Sequence, residues 1–499
     1  KMTLLSLAMQ TAAMVFNAVL SDKAGTAAVG LMSLIFTLFG FIMVLANGNI
    51  LTSTSRFVSE ARGAGHKNFS RVMSYSLGFS FCLSVSFSII SFISADLLGT
   101  RLLHSTELSL AVRFISLSLP FASAGSCIKG YFHGIRRVDV PMRGDLIEFA
   151  AKWGCLFSGL LFFGGTDFFY TMTAASILFG EFISFVYYAF RYINEYRTFH
   201  ALPLCTAPLA TDTFSGYLKG SLPILLSGYV QMLMSTANEL LVPAALLKYS
   251  RSTENALSCY GCFEALIRPA LYVPSAVLGS LSGIIIPEAA LANRCRDRDI
   301  RRKRLSALTD STFCKAFSYS FFIAALFFFG GASAGHILCP EEELVSRSLV
   351  ILAPVIPFIY LEIVLEGLLK GMGRQNFSTV NSLFEYAVRI GCVMIFVGKI
   401  GFGGVLISYY ASNVLSNIAR IVVVCREAGL RFDVKKYAVC PMLKGIACCI
   451  FGKAVVTLTR AGYSGELVSL VLFVLSASAA FGVIGMGQIK RRKTSCECE

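Results

Sequence analysis

Apolar runs of about 20 residues, set apart by short polar stretches, divide the chain into fourteen segments. They lie near 2–20, 28–52, 72–96, 108–131, 144–164, 168–190, 215–246, 259–287, 308–334, 344–369, 378–397, 402–425, 438–459 and 465–488. A helix needs about 20 predominantly apolar residues to cross the hydrocarbon core of a bilayer. The pattern therefore predicts an all-α integral membrane protein of about fourteen transmembrane helices. The runs near 215–246 and 259–287 are longer than a straight span requires, and tilt or kinks at Pro223 and Pro274 would absorb the excess.

Two stretches share one pattern without a gap, at an offset of 237 residues. The first, 120–155, reads PFASAGSCIKGYFHGIRRVDVPMRGDLIEFAAKWGC, and the second, 357–392, reads PFIYLEIVLEGLLKGMGRQNFSTVNSLFEYAVRIGC. Pro120, Gly130, Gly134, Arg137, Glu148 and Cys155 recur as Pro357, Gly367, Gly371, Arg374, Glu385 and Cys392, while Lys152 and Arg389 match in charge. Such self-similarity marks an internal duplication. The copies cover helices four and five, then ten and eleven, so the period is six helices. The expected organisation is an N-terminal six-helix lobe (1–192), a linker (193–214), a C-terminal six-helix lobe (215–426), and two further helices with a basic tail (427–499). An even period makes the halves parallel, related by an axis along the membrane normal, and such repeats hold substrate between them near the midplane.

Composition agrees with this class. Hydrophobic residues make up 55% of the 499 and charged residues only 15%, against about a quarter charged in soluble chains. The net charge of +15 would suggest nucleic acid in a soluble protein. Here the basic residues fall in alternate short loops, the densest between Arg294 and Arg304, which sets topology. With the termini inside, the chain is a multi-pass protein of the cytoplasmic membrane. Its basic side then meets anionic membrane lipids, and no nucleic acid is expected. The sixteen cysteines sit mostly in apolar runs as small hydrophobes. Cys259 and Cys262 form a lone CxxC without a second pair, so no metal site is expected. Lys1 already stands at the edge of an apolar run, no cleavable leader is evident, and residues upstream of Lys1 are not excluded.

Ionisable groups at membrane depth each call for a reason. Glu264 and Arg268 lie four apart on helix eight, either paired or lining a cavity where a planar guanidinium suits phosphate or pyrophosphate. Arg56 and Glu60 close helix two as interfacial anchors or cavity groups. Gln10 and Asn17 in helix one, and Asn238 and Glu239 in helix seven, are packing glue or cavity lining. Glu148 with Lys152, and Glu385 with Arg389, are i,i+4 braces. Glu366 pairs with Lys370 or serves a proton or sodium relay. No GxxxxGK[ST] loop occurs, the histidines are scattered, and no loop is long enough for a catalytic domain. Neither a cofactor nor an enzymatic reaction is expected.

The stretches GNILTSTSRFVSE, KGYFHGIRRVDVP, RPALYVPSAVLGSLSGIIIPEAA and EGLLKGMGRQNFSTVNSLFEYAVRI resemble the polysaccharide-flippase branch of the multidrug/oligosaccharidyl-lipid/polysaccharide exporter superfamily. Within it they look like the stage V sporulation protein B group, relatives of lipid II flippases. The resemblance implies two lobes around a V-shaped cavity and alternating access that carries a polyprenyl-pyrophosphate-linked sugar. Lipid II flippases use cavity arginines on helices one, two and eight. Arg56 and Arg268 match the last two, whereas helix one offers only Gln10 and Asn17. Relatives often carry an acid in helix seven, where this chain has Asn238 and Glu239.

The expected function is thus a monomeric flippase for a polyprenyl-linked glycan lipid. Arg268, Arg56, Glu264, Gln10 and Asn17 would meet the substrate, and Asn238, Glu239 and Glu366 would meet a coupling sodium ion or proton. The alternatives are a cation-coupled multidrug exporter and a membrane scaffold for envelope synthesis.

Overall fold

The computed structural model describes residues 2–63, 69–97, 108–135, 137, 139–163, 168–200, 213–293, 297–340, 342–459 and 465–496. They form fourteen helical rods. These are α1 (Met2–Ala24), α2 (26–63), α3 (Ser70–Ile93), α4 (Leu108–Gly134), α5 (Asp139–Phe163), α6 (Phe168–His200), α7 (Phe214–Ser250), α8 (253–293), α9 (Arg298–Leu338), α10 (Glu343–Gly371), α11 (375–400), α12 (Phe402–Ala428), α13 (Lys435–Thr459) and α14 (Glu466–Cys496). No strand occurs among the described residues. Nine helices are long and apolar enough to cross a membrane among those residues. The rods α1, α5, α8, α11 and α12 are not among the nine. They carry charged and amide side chains that protein, rather than lipid, must surround.

Contacts gather the chain into two compact units. One joins Thr3–Asp22 to Ala244–Glu499, and the other is Lys23–Pro243. Helix α1 therefore packs with the C-terminal half, and most of α7 with the N-terminal half. The contiguous division at 193–214 read from the duplication is not the division that packing makes. Duplication records chain order, while burial of apolar helix faces is decided by neighbours far apart in sequence. Within the linker, α6 stays helical to His200, and 201–212 lie outside the described residues.

In the Lys23–Pro243 unit, α2 is broken at Gly48 and Asn49, both in the left-handed region with φ of 55° and 52°. Only glycine and, more rarely, asparagine visit that region cheaply. The break lies under α7: a Cβ on Gly48 would come within 2.9 Å of Leu225, and one on Gly228 would meet the Asn49 side chain. Tyr229 on α7 donates its hydroxyl to the Leu45 carbonyl at 2.8 Å. Beyond the break α2 resumes as Ile50–Gly63. Arg56 is thus inside a second helical segment rather than at a helix end. Phe57 and Tyr217, with ring centroids 5.1 Å apart, pack this segment into the buried aromatic cluster of Tyr131, Phe132 and Tyr188.

The duplicated glycines do the same work in each unit. A Cβ on Gly130 of α4 would lie 2.6 Å from the Leu51 carbonyl oxygen on α2, and one on Gly367 of α10 would lie 2.3 Å from the Ser282 hydroxyl on α8. Each lets two helix backbones approach, as small residues do between membrane helices. Of the basic run 294–304, expected as a loop, residues 298–304 are helical. Asp297 caps α9 by accepting the Asp299 and Ile300 N–H groups at 2.9 and 3.3 Å. Arg294 and Arg296 lie outside the described residues. Arg113 on α4 pairs with Asp96 at 3.3 Å, in line with an outward-reaching side chain. Cys259 and Cys262 are free thiols.

Candidate functional site

The site grows from an irregular stretch of α8 in the unit holding Ala244–Glu499. Cys262–Ile267 is π-wound, and Val273–Ser275 is a 3₁₀ turn around Pro274. π-Bulges often mark functional positions. Pro269 has no N–H, so the carbonyl four residues before it, Ala265, loses its helical donor. Asn17 of α1 supplies one, Nδ2 donating to the Ala265 oxygen at 3.1 Å. Tyr360 of α10 donates to the Leu271 carbonyl at 2.6 Å, and Tyr319 of α9 to the Pro274 carbonyl at 2.7 Å. Three helices thus hold the backbone that presents Glu264 and Arg268, as membrane-buried irregular backbone requires. Arg268 donates to Glu264 at 2.6 Å, and its side chain stays 37% exposed against 14% for the carboxylate.

Beside α8 lies a cavity of about 380 Å³ lined by Tyr272, Ser282, Glu362, Glu366, Gly367 and Lys370. Glu366 accepts from Lys370 at 2.9 Å. Glu362 links the cavity to a buried charge network on α10, α11 and α12. Arg420, fully shielded from solvent, donates to Glu362 at 3.1 Å and to Glu385 at 3.2 Å. It also reaches Ser382, Ser416 and Asn417 at 3.2–3.3 Å. Glu385 accepts from Arg389 at 2.9 Å and from the Ser416 hydroxyl at 2.8 Å. Arg389 in turn donates to Ser412 at 3.0 Å and lies 4.5 Å from the Tyr409 ring centroid. Two carboxylates face two guanidinium groups, so the cluster is formally neutral. That matters, because removing one member of a buried pair leaves the other charge uncompensated at about 3–5 kcal/mol. Tyr272 lies in the field of Arg268, Glu362 and Arg389 together, so α8 and the network share one electrostatic environment.

The other unit carries the duplicate with a third member of the opposite sign. Lys152 on α5 donates to Glu148 at 3.0 Å and lies 4.0 Å from Glu181 on α6. Here one base stands between two acids; at the matching place Glu385 stands between two bases. Lys129 meets Asp145 at 2.5 Å, and the Tyr188 hydroxyl donates to the same carboxylate at 3.2 Å. In this unit Glu239 accepts from Thr37 at 2.8 Å, and Asn238 beside it is buried. Arg56 is exposed and lies 6.0 Å from the Phe57 ring centroid. The side chains of Gln10 and Glu60 lie outside those described.

Structure thus brings Glu264 and Arg268 together, with Asn17 on the same π-wound backbone, and places Glu366 with Lys370 on the adjoining cavity. It puts Asn238 and Glu239 on the α7 portion of the other unit, where Arg56 also resides. Sequence reading missed Arg420. A signal was there: Ser412, Asn413, Ser416 and Asn417 precede it at helical spacing, a polar stripe on an otherwise apolar helix.

Residues 2–149 match the MatE family model. No curated relative matches the sequence. Among solved structures, the chain is similar to the lipid II flippase MurJ in an inward closed conformation, with a TM-score of 0.69 and 14% identity over 98% of this chain and 99% of that one. It is also similar to an inward-facing multidrug resistance MATE family transporter, with a TM-score of 0.60 and 15% identity over 86% of this chain and 98% of that one. A MOP superfamily transporter from Pyrococcus furiosus, whose description reports a binding pocket of reversed polarity, gives a TM-score of 0.56 and 14% identity over 85% and 94%. The chain shares the fold of these solved structures. At such identities the likeness speaks for architecture, a multi-pass helical membrane protein.

Proposed function

We propose that this chain is a flippase that moves a polyprenyl-pyrophosphate-linked cell-wall or surface-polysaccharide precursor across the cytoplasmic membrane by alternating access. The observation that carries the reading is Arg268. It is a partly exposed guanidinium at membrane depth, held on a π-wound, proline-bent backbone by side chains from three other helices. A guanidinium so placed is geometrically suited to a pyrophosphate. The adjoining cavity supports the same ligand: its carboxylates Glu362 and Glu366 each have a base within reach, so they do not repel an anion as free acids would. Moving the headgroup through a polar interior, with the prenyl tail left in lipid, avoids exposing a charged group to hydrocarbon. The fit to the flippase structure over 98% of the chain, against 86% for the multidrug transporter, also favours this reading. The shortfall is of a size that the last two helices would fill.

In this scheme Arg56 is a second contact for the headgroup, and Glu264 sets how strongly Arg268 is engaged when the site is empty. Asn238, Glu239 and Glu366 are the candidates for a coupling sodium ion or proton. Both termini face the cytoplasm, as the loop lysines and arginines require. The sequence motifs point to the stage V sporulation protein B-like branch. A second reading, a cation-coupled drug exporter, draws on the excess of acid around Lys152.

Reconstituted vesicles distinguish the two. A fluorescent polyprenyl-pyrophosphate disaccharide becoming reactive toward an impermeant reagent supports the flippase. Efflux of a cationic dye without lipid movement supports the exporter. Neither activity leaves the scaffold reading.

A further inference from the structure

A second polar cleft, of about 830 Å³, lies between the first turns of α9 and the turn joining α12 to α13. It shares no lining residue with the cavity described above and is built around fixed groups. Gly429 ends α12 in the left-handed region, φ 65°, and Arg302 lies across it. A Cβ there would fall 2.1 Å from the guanidinium Nε, so the glycine gives Arg302 its seat. The turn is anchored on its far side by Phe432 and Tyr437, packed with Phe313 and Phe317.

The acids of the cleft are mostly engaged at home. Asp310 takes both the Lys436 ammonium and the Tyr437 hydroxyl. Asp433 accepts the Lys435 and Lys436 backbone N–H groups at 2.9 and 3.3 Å. Asp299 and Asp433, neither ion-paired among the described residues, are set against Arg302, Lys303 and Arg431, which form no ion pair among the described residues, and one positive charge is left over. The cleft is open, polar and positive, with a preorganised guanidinium on one wall.

We propose that this cleft binds a phosphate group, through Arg302 and Arg431 with Lys303 assisting. The phosphate is either the headgroup of an anionic lipid or that of a soluble phosphate ester. The forked donors of arginine fit phosphate oxygens, and aromatic rings beside basic residues are typical of the bilayer interface, where headgroups lie. The proposal does not depend on what the protein transports.

The test uses the full chain in nanodiscs. Thermal stability is read with phosphatidylcholine alone, with added phosphatidylglycerol, and with pyrophosphate in solution. Wild type should gain stability from one of the two phosphates. Phosphatidylglycerol acting alone assigns the site to lipid, and pyrophosphate acting alone assigns it to a soluble ester. In R302A/R431A the apparent affinity should fall on the order of 25-fold, taking about 1 kcal/mol, or roughly fivefold, for each basic residue near a membrane surface. R298A/R301A removes the same number of charges from the first turns of α9, outside the cleft lining, and should keep wild-type affinity. Should R302A/R431A fail to fold, R302Q/R431Q is read in its place. Binding by neither phosphate, equal losses in both double variants, or unchanged affinity in the cleft variant overturns the proposal.

Discussion

Arg420 donates to Glu385 at 3.2 Å across two helices, 35 residues apart in the chain and shut off from solvent. The same guanidinium holds Glu362 on a third helix. One side chain thus ties α10, α11 and α12 together at a point where lipid-like burial would otherwise forbid charge. Replacing it with methionine should cost about 3–5 kcal/mol, because two carboxylates are left without their shared base. Chemical or thermal unfolding in detergent measures this. The double change R420M/E385Q should cost less than the sum of its parts, since neighbours in one network do not add independently. A loss no larger than that of an ordinary surface change would remove the network from the account.

The duplicated glycines are expected to differ in their tolerance of a methyl group. At Gly130 the new Cβ meets a carbonyl oxygen of the main chain, and at Gly367 it meets a serine hydroxyl that can turn away. Overpacking costs about 1–3 kcal/mol, so G130A should sit at the upper end and G367A at the lower. Adding S282A to G367A should recover part of the loss, whereas no single side-chain change should rescue G130A. Melting temperatures of the three variants decide this.

Asn17 is bonded to the helix backbone that displays Arg268. N17D offers only acceptors to the Ala265 carbonyl, so it should be no better than N17A. Both should lose about 1–2 kcal/mol through a lost hydrogen bond to a buried acceptor. If Asn17 acts mainly on the headgroup instead, stability will be unchanged while substrate affinity falls.

Much of the fold was legible because the bilayer imposes a length. Apolar runs set the number of helices, and the ungapped echo of Pro120 and Gly130 in Pro357 and Gly367 set the repeat. The pairs Glu148–Lys152, Glu385–Arg389, Glu264–Arg268 and Glu366–Lys370 were legible because i,i+4 spacing is local, and all four bond in the structure. What escaped is non-local. Arg420 sits among Ile418, Ile421 and Val422 and reads alone as an interfacial anchor; its acidic partners come from other helices. The transfer of α1 to the C-terminal unit escaped for the same reason, as did the third member of each duplicated cluster, acidic at Glu181 and basic at Arg420. Between the two copies only the i,i+4 pairs are visible to sequence comparison, so the change of sign in the third member is not.

The account turns on whether Arg268 meets a pyrophosphate headgroup, and the most direct measurement is the initial rate of headgroup transfer in vesicles for R268A, R268K and E264Q beside wild type. A lost charge-assisted hydrogen bond is worth about 1.5–3 kcal/mol, so R268A should be slower by roughly tenfold or more, R268K intermediate, and E264Q should keep or raise apparent affinity by freeing the guanidinium. Transfer by R268A at the wild-type rate, with its fold intact, would contradict it.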